Sequence, residues 1–188
     1  MPPAYRLSLT AASLLPDDMA LLAQTYLASG DWTATRAAAL EQNLLKTAKV
    51  SSAKRRYQEL ELRLRQLDEA QLEALASGDA TARRLLSFVA CCRAYPFLAR
   101  FVTGGLRRKV DTYQLDVHEG DYHRHFENEA LGEPRLEEIS DRTADKMQSR
   151  TMALLREAGL LEGTRLVVPY LSMGLRQALG EGAPYVFS

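Results

Sequence analysis

Cysteine is almost missing from this chain of 188 residues: only Cys91 and Cys92 occur, side by side. Adjacent cysteines close no useful loop, so a disulfide framework is excluded, and the pair reads as small buried hydrophobes in a reducing compartment. No run reaches about 18 apolar residues, so no transmembrane helix is expected. The N-terminus lacks a charged segment followed by a long apolar one, so no secretory signal is expected, and the expected location is cytoplasmic. Charge of one sign is missing too, since Lys+Arg and Asp+Glu both number 24. A protein that coats nucleic acid over its whole surface is basic, so such binding here must come from a local patch.

Catalytic signatures are equally scarce. The chain has no G-x-x-x-x-G-K-[ST], no G-x-G-x-x-G after a strand, no H-E-x-x-H and no G-x-S-x-G. Cys91 and Cys92 lie in an apolar segment that disfavours a thiolate. The expectation is a protein that is not an enzyme, with no cofactor and no small-molecule substrate. Neither solenoid repeats nor low-complexity segments occur.

The residues that are present read as helix. Residues 16–28 carry Met19, Leu22, Ala23, Tyr26 and Leu27 on one stripe, with Pro16 in the first turn and Gly30 at the stop. Asp31 is placed to cap a second helix through roughly Lys46, with Trp32, Leu40 and Leu44 inward. Ser51 or Ser52 is placed to cap a third, whose Tyr57, Leu60, Leu64 and Leu67 face the core. Asp68 and Asp79 are further caps, with Gly78 closing the short helix between them. Leu85–Cys92 is apolar on nearly every side, the pattern of a central helix, and Tyr95-Pro96 ends it. Gly104-Gly105 either ends or weakens the next helix. Nine acids, two arginines and all three histidines share 116–141, with a helix expected around Tyr122–Leu131. Ser140 or Asp141 then caps a long helix that stops at Gly159. "LLEGTRLVVPY" signals a short strand pair, and a last helix, 172–179, precedes an apolar tail at Tyr185-Val186-Phe187.

Two basic constellations stand out. Residues 46–65 hold seven Lys/Arg against two acids, with Lys54, Arg55 and Arg56 in the first turn of the third helix. Cations there oppose the helix dipole, yet they act together with free backbone N–H groups if an anion binds. A helix, a turn and a basic helix over 31–67 also match the layout of a helix-turn-helix reader. The second constellation is 141–158, where Arg142, Lys146 and Arg150 recur at four-residue spacing and share one face. Helix, Gly-Leu-Leu and strand there resemble the recognition helix and wing of a winged-helix module. A solvated charged face is the alternative for both. Arg107, Arg108 and Lys109 form a shorter run that reads as plain surface. His118, His123 and His125, with Glu119 and Asp121, are too poorly spaced for a metal site, since zinc needs converging ligands.

Four stretches, in order, resemble the BrxA family, the small helical component of BREX (bacteriophage exclusion) defence systems in bacteria. They are "LTAASLLPDDMALLAQTYLASGDW" at 9–32, "EQNLLKTAKVSSAKRRYQELELRL" at 41–64, "LLSFVACCRAYPFLARFV" at 85–102 and "RTADKMQSRTMALLREAGLLEG" at 142–163. The resemblance implies a mainly α, compact multi-helix bundle similar to NusB-type antitermination factors. It also implies double-stranded DNA binding in an accessory role beside other BREX components. One helical domain over 1–188 is expected, with a subdivision into 1–115 and a winged-helix-like 116–188. The basic helix ends, not the family, nominate Lys49, Ser52, Lys54, Arg55, Arg56, Arg142, Lys146 and Arg150 as phosphate contacts. Two alternatives stay open. One is a protein-interaction scaffold, which the zero net charge and the apolar tail suit; the other is an RNA-binding, antiterminator-like protein.

Overall fold

Proline, glycine and aspartate punctuate the first half of the chain. The computed structural model describes residues 5–187, and it is mainly helical with one β-hairpin near the C-terminus. Helix α1 (Pro16–Ser29) opens on Pro16 and closes on Gly30 at φ 66°, a left-handed conformation that glycine adopts without a Cβ penalty. Asp31 accepts from the Thr33 and Ala34 amides and starts α2 (Trp32–Glu41). This helix ends short of Lys46, because Asn43 and Lys46 take positive φ and turn the chain away. Its inward residues are Thr35 and Ala39, with Leu45 buried in the turn beyond.

Helix α3 (Val50–Leu64) starts earlier than the serines, with Lys49 at the N-cap and no capping side chain. Lys54, Arg55 and Arg56 therefore lie in its second turn, not in the first turn beside the free N–H groups as expected. Tyr57, Leu60, Leu64 and Leu67 are all buried as the spacing predicts. The connection over residues 42–49 is longer than the three- or four-residue turn of a helix-turn-helix. Asp68 and Asp79 cap α4 (Glu69–Ser77) and α5 (Ala80–Ala94). Every residue from Leu85 to Cys92 is buried, so α5 is the hub; α1, α3, α4, α10 (Asp141–Glu157) and α11 (Met173–Leu179) all touch it.

Pro96 opens α6 (Pro96–Arg100). Gly104-Gly105 neither ends nor interrupts the helical path: the chain widens into a π-helical turn, Phe101–Leu106, and continues as α7 (Arg107–Asp111). Next come α8 (Glu119–Ala130), α9 (Pro134–Glu137) and α10, which stops before Gly159 at φ 75°. Strands β1 (Leu161–Glu162) and β2 (Arg165–Leu166) pair antiparallel. Residues 115–117 extend this hairpin on its β2 side. Asp116 bridges Arg165, the Val117 amide donates to the Thr164 carbonyl at 2.7 Å, and the Leu166 amide donates to the Leu115 carbonyl at 2.8 Å. After α11, a 3-10 segment, Gly180–Val186, folds back on α5 and buries Val186 and Phe187. The apolar tail is therefore core, not a surface free for a partner.

An N-terminal strap ties the two halves together. Its 3-10 turn, Ser8–Ala11, packs on α10, and Leu9 and Leu14 are buried. Arg63, the largest fully buried side chain, holds the strap from the α3 side. It donates to the Ser13 carbonyl at 2.6 Å, the Ala12 carbonyl at 3.1 Å and the Tyr95 hydroxyl at 3.0 Å. Glu59, 3.5 Å away, supplies the counter-charge, and burial pushes its carboxyl above the usual range. A charge buried this deeply is tolerated only because its donors are matched.

Candidate nucleic-acid interface

Helix α10 has a sharp division between faces. Met147, Thr151, Leu154 and Leu155 are buried, while Arg142, Asp145, Lys146 and Ser149 on the opposite side are exposed. The helix stands as a ridge between two valleys. One is lined by Arg142, Lys146, Arg150 and Ala153, with Thr10 of the strap as its far wall. The other is lined by Gln148, Met152 and Arg156, with His118 and the hairpin turn at Gly163-Thr164 opposite. Asp145 and Ser149 line both valleys and so form the crest.

A third groove lies across the strap. Arg6, Ser52, Arg55 and Arg56 line it, and Ala11, Ala12 and Ser13 form its other wall. Strap residues 10–13 therefore separate the α3 groove from the α10 valley, and they bring the two nominated basic sets to opposite flanks of one short segment. Sequence reading missed that proximity. It also missed Arg6, Thr10, Asp145, Ser149 and the hairpin turn. The i, i+4 spacing of Asp145 and Ser149 was available as a signal; for Arg6 no sequence signal exists.

The nominated residues differ in how free they are. Lys49, Lys54 and Arg55 are exposed, and their side chains have no ion-pair or hydrogen-bond partner among the described residues; Ser52 is exposed in the first turn of α3. Helix α3 also has no acid in its first turn. Arg56 is committed elsewhere: it pairs with Asp18 of α1 at 2.5 Å and reaches the Leu45 carbonyl at 3.5 Å. On α10, the side chains of Arg142 and Lys146 are unpartnered among the described residues. Arg150 donates to the Ser13 hydroxyl at 3.1 Å and lies 3.9 Å from Glu157. Of the remaining cations in 46–65, Arg63 is buried in the strap clamp. Arg65 pairs with Glu61 at 2.7 Å and lies over the Trp32 ring. The 107–109 run is largely spent, with Arg107 on Asp111 and Lys109 on Asp121.

The histidines serve different places. His118 caps α8, His123 is exposed, and His125 lies against Phe97 and Phe101 with Nε2 3.0 Å from the Phe97 carbonyl. Among the described residues no three His, Cys, Asp or Glu gather as a metal site would require. Cys91 and Cys92 are fully buried, and burial raises both thiols, Cys92 well above its ordinary value. Neither offers a thiolate.

Comparisons with known proteins bear on the fold and the family. A search of curated proteins finds no match. Among solved structures, the crystal structure of an uncharacterized protein from Magnetospirillum magneticum is similar over 98% of this chain and 96% of that one. The TM-score is 0.79 at 20% identity, a likeness of fold. Residues 3–182 match the BrxA family, so the chain belongs to that family, and this membership points to a component of a BREX phage-defence system.

Proposed function

We propose that the protein is a non-enzymatic, DNA-binding accessory component of its defence system, acting in the cytoplasm. The single observation that carries this reading is the ridge of α10 between two valleys. A helix about 10–12 Å across matches a major groove about 12 Å wide, and a backbone strand then runs along each valley. Arg142, Lys146 and Arg150 line one valley at helical spacing. The order short extended segment, helices α8 to α10, hairpin, with residues 115–117 added to β2, supports the winged-helix-like reading of 116–188. Across the strap, Lys54 and Arg55 extend the contact to flanking phosphates.

Phosphate contacts release counterions, so about six of them give a log–log salt slope near −5. Mobility shifts of a duplex at two salt concentrations measure it. Replacing Arg142 and Lys146 together by Ala is expected to weaken binding and to flatten the slope by about two. An unchanged slope removes α10 from the interface.

A protein-interaction scaffold is the second reading, and one observation favours it. Val168, Tyr170 and Met173 are exposed on the segment after the hairpin, Tyr170 and Met173 at 90%. Capture of other BREX components by protein with no DNA affinity supports that alternative. The RNA reading rests on antiterminator-like architecture alone, and competition between duplex DNA and structured RNA separates it.

A further inference from the structure

We propose that Asp145 is a base-reading residue that selects cytosine in the major groove, with Ser149 one turn on reading the adjoining position. The proposal rests on the DNA reading of α10 and names what that helix recognises. Asp145 and Ser149 form the crest between the two valleys, opposite the buried face of the helix. Both are exposed, and neither side chain has a hydrogen-bond or ion-pair partner among the described residues. The Asp145 carboxylate is thus unpaired although Arg142 and Lys146 stand within one turn of it.

A carboxylate on the crest of a phosphate-binding helix is costly in every position but one. It accepts hydrogen bonds and donates none. It therefore repels phosphate and gains nothing from guanine N7 and O6 or from thymine O4. Adenine offers its N6 amino group but sets the N7 acceptor beside it. Cytosine presents its N4 amino group with no acceptor beside it on its own ring edge, the one base to do so. Asp145 should therefore weaken binding to arbitrary duplexes and restore it where a cytosine lies beneath the crest. Ser149 lies about 6 Å further along the axis, and its hydroxyl either donates or accepts, so it imposes a looser preference.

The test is selection of bound duplexes from a random pool by the full chain, comparing wild type with Asp145→Asn and Ser149→Ala. Wild type is expected to enrich cytosine at one position. Asn pairs with adenine N6 and N7, so Asp145→Asn should move that preference to adenine and hold random duplex several-fold more tightly. Enrichment of cytosine at that position should fall roughly five- to hundredfold. Ser149→Ala should keep the cytosine and flatten the neighbouring position. Unchanged cytosine enrichment in Asp145→Asn, or a flat profile in wild type with steep salt dependence, overturns the base-reading role and leaves DNA binding standing. Retention of no duplex by any of the three proteins overturns both.

Discussion

Arg150 reaches from the middle of α10 to the Ser13 hydroxyl, 3.1 Å away, and so joins the proposed reading helix to the N-terminal strap. Glu157 on the same helix accepts from the Leu14 amide at 2.6 Å, while Arg63 grips the Ala12 and Ser13 carbonyls from the α3 side. The strap is thus held between the two basic helices. Its attachment sets how the α3 groove and the α10 valley are placed relative to each other.

Arg63 is the residue whose loss that arrangement should feel most. Arg63→Ala strips donors from two strap carbonyls and from Tyr95, and it removes the nearer of the two cations, Arg63 and Arg6, that stabilise the Glu59 carboxylate. Breaking a buried pair by removing one partner costs about 3–5 kcal/mol. Urea unfolding should show a loss of that size. A loss below about 1 kcal/mol would mean that water replaces the guanidinium without penalty.

Arg55 and Arg56 are neighbours that should behave as opposites. Arg55 is exposed and unpartnered, so Arg55→Ala should leave the melting temperature unchanged and reduce the salt slope by about 0.9. Arg56 is held by Asp18, so Arg56→Ala should cost about 1 kcal/mol of stability. Its effect on the salt slope should be smaller than that of Arg55→Ala. Equal effects of the two substitutions on the slope would show that Arg56 leaves Asp18 to meet a phosphate.

That contrast marks where sequence reading stops. Pro16, Gly30, Asp31, Asp68, Asp79 and Tyr95-Pro96 act on their immediate neighbours, so the helix boundaries they set were legible. The cations of 46–65 looked like one patch because their partners are remote in sequence: Asp18 for Arg56, residues 12–13 for Arg63. Tertiary pairing divides the run into free, tethered and buried members. Likewise, nothing local marks 115–117 as the third strand, because its partner is β2, about fifty residues later. The end of α2 was misplaced since Asn43 and Lys46 adopt left-handed conformations that their residue types permit but do not demand.

His125 should make the fold sensitive to mild acid. Burial between Phe97 and Phe101 lowers its pKa, and its bond to the Phe97 carbonyl only partly opposes that. With the folded pKa below the unfolded value near 6.5, the native state prefers neutral imidazole. This contribution to stability is complete above about pH 6.5 and is lost as pH falls through the lower, folded pKa. His125→Gln keeps a donor for Phe97 and removes the titration. Melting temperatures of the two proteins should therefore converge, or cross, as pH drops from about 8 to about 5. Parallel curves would remove His125 from the acid response.

Gly182 tests whether the C-terminal tail belongs to the core. A Cβ at that position would lie 2.7 Å from Cγ1 of Val89 and 3.1 Å from its Cγ2, closer than packed carbons allow. Val89 is fully buried in α5, so neither group has room to yield. Gly182→Ala should cost about 1–3 kcal/mol through overpacking. Val89→Ala alone also destabilises, by emptying part of the core. Combined, the new methyl occupies space that valine gave up, so the double variant should be more stable than the sum of the single losses requires. A coupling of about 0.5 kcal/mol or more in a double-mutant cycle would place Gly182 against Val89 in solution. Strict additivity would mean that the tail is not seated on α5.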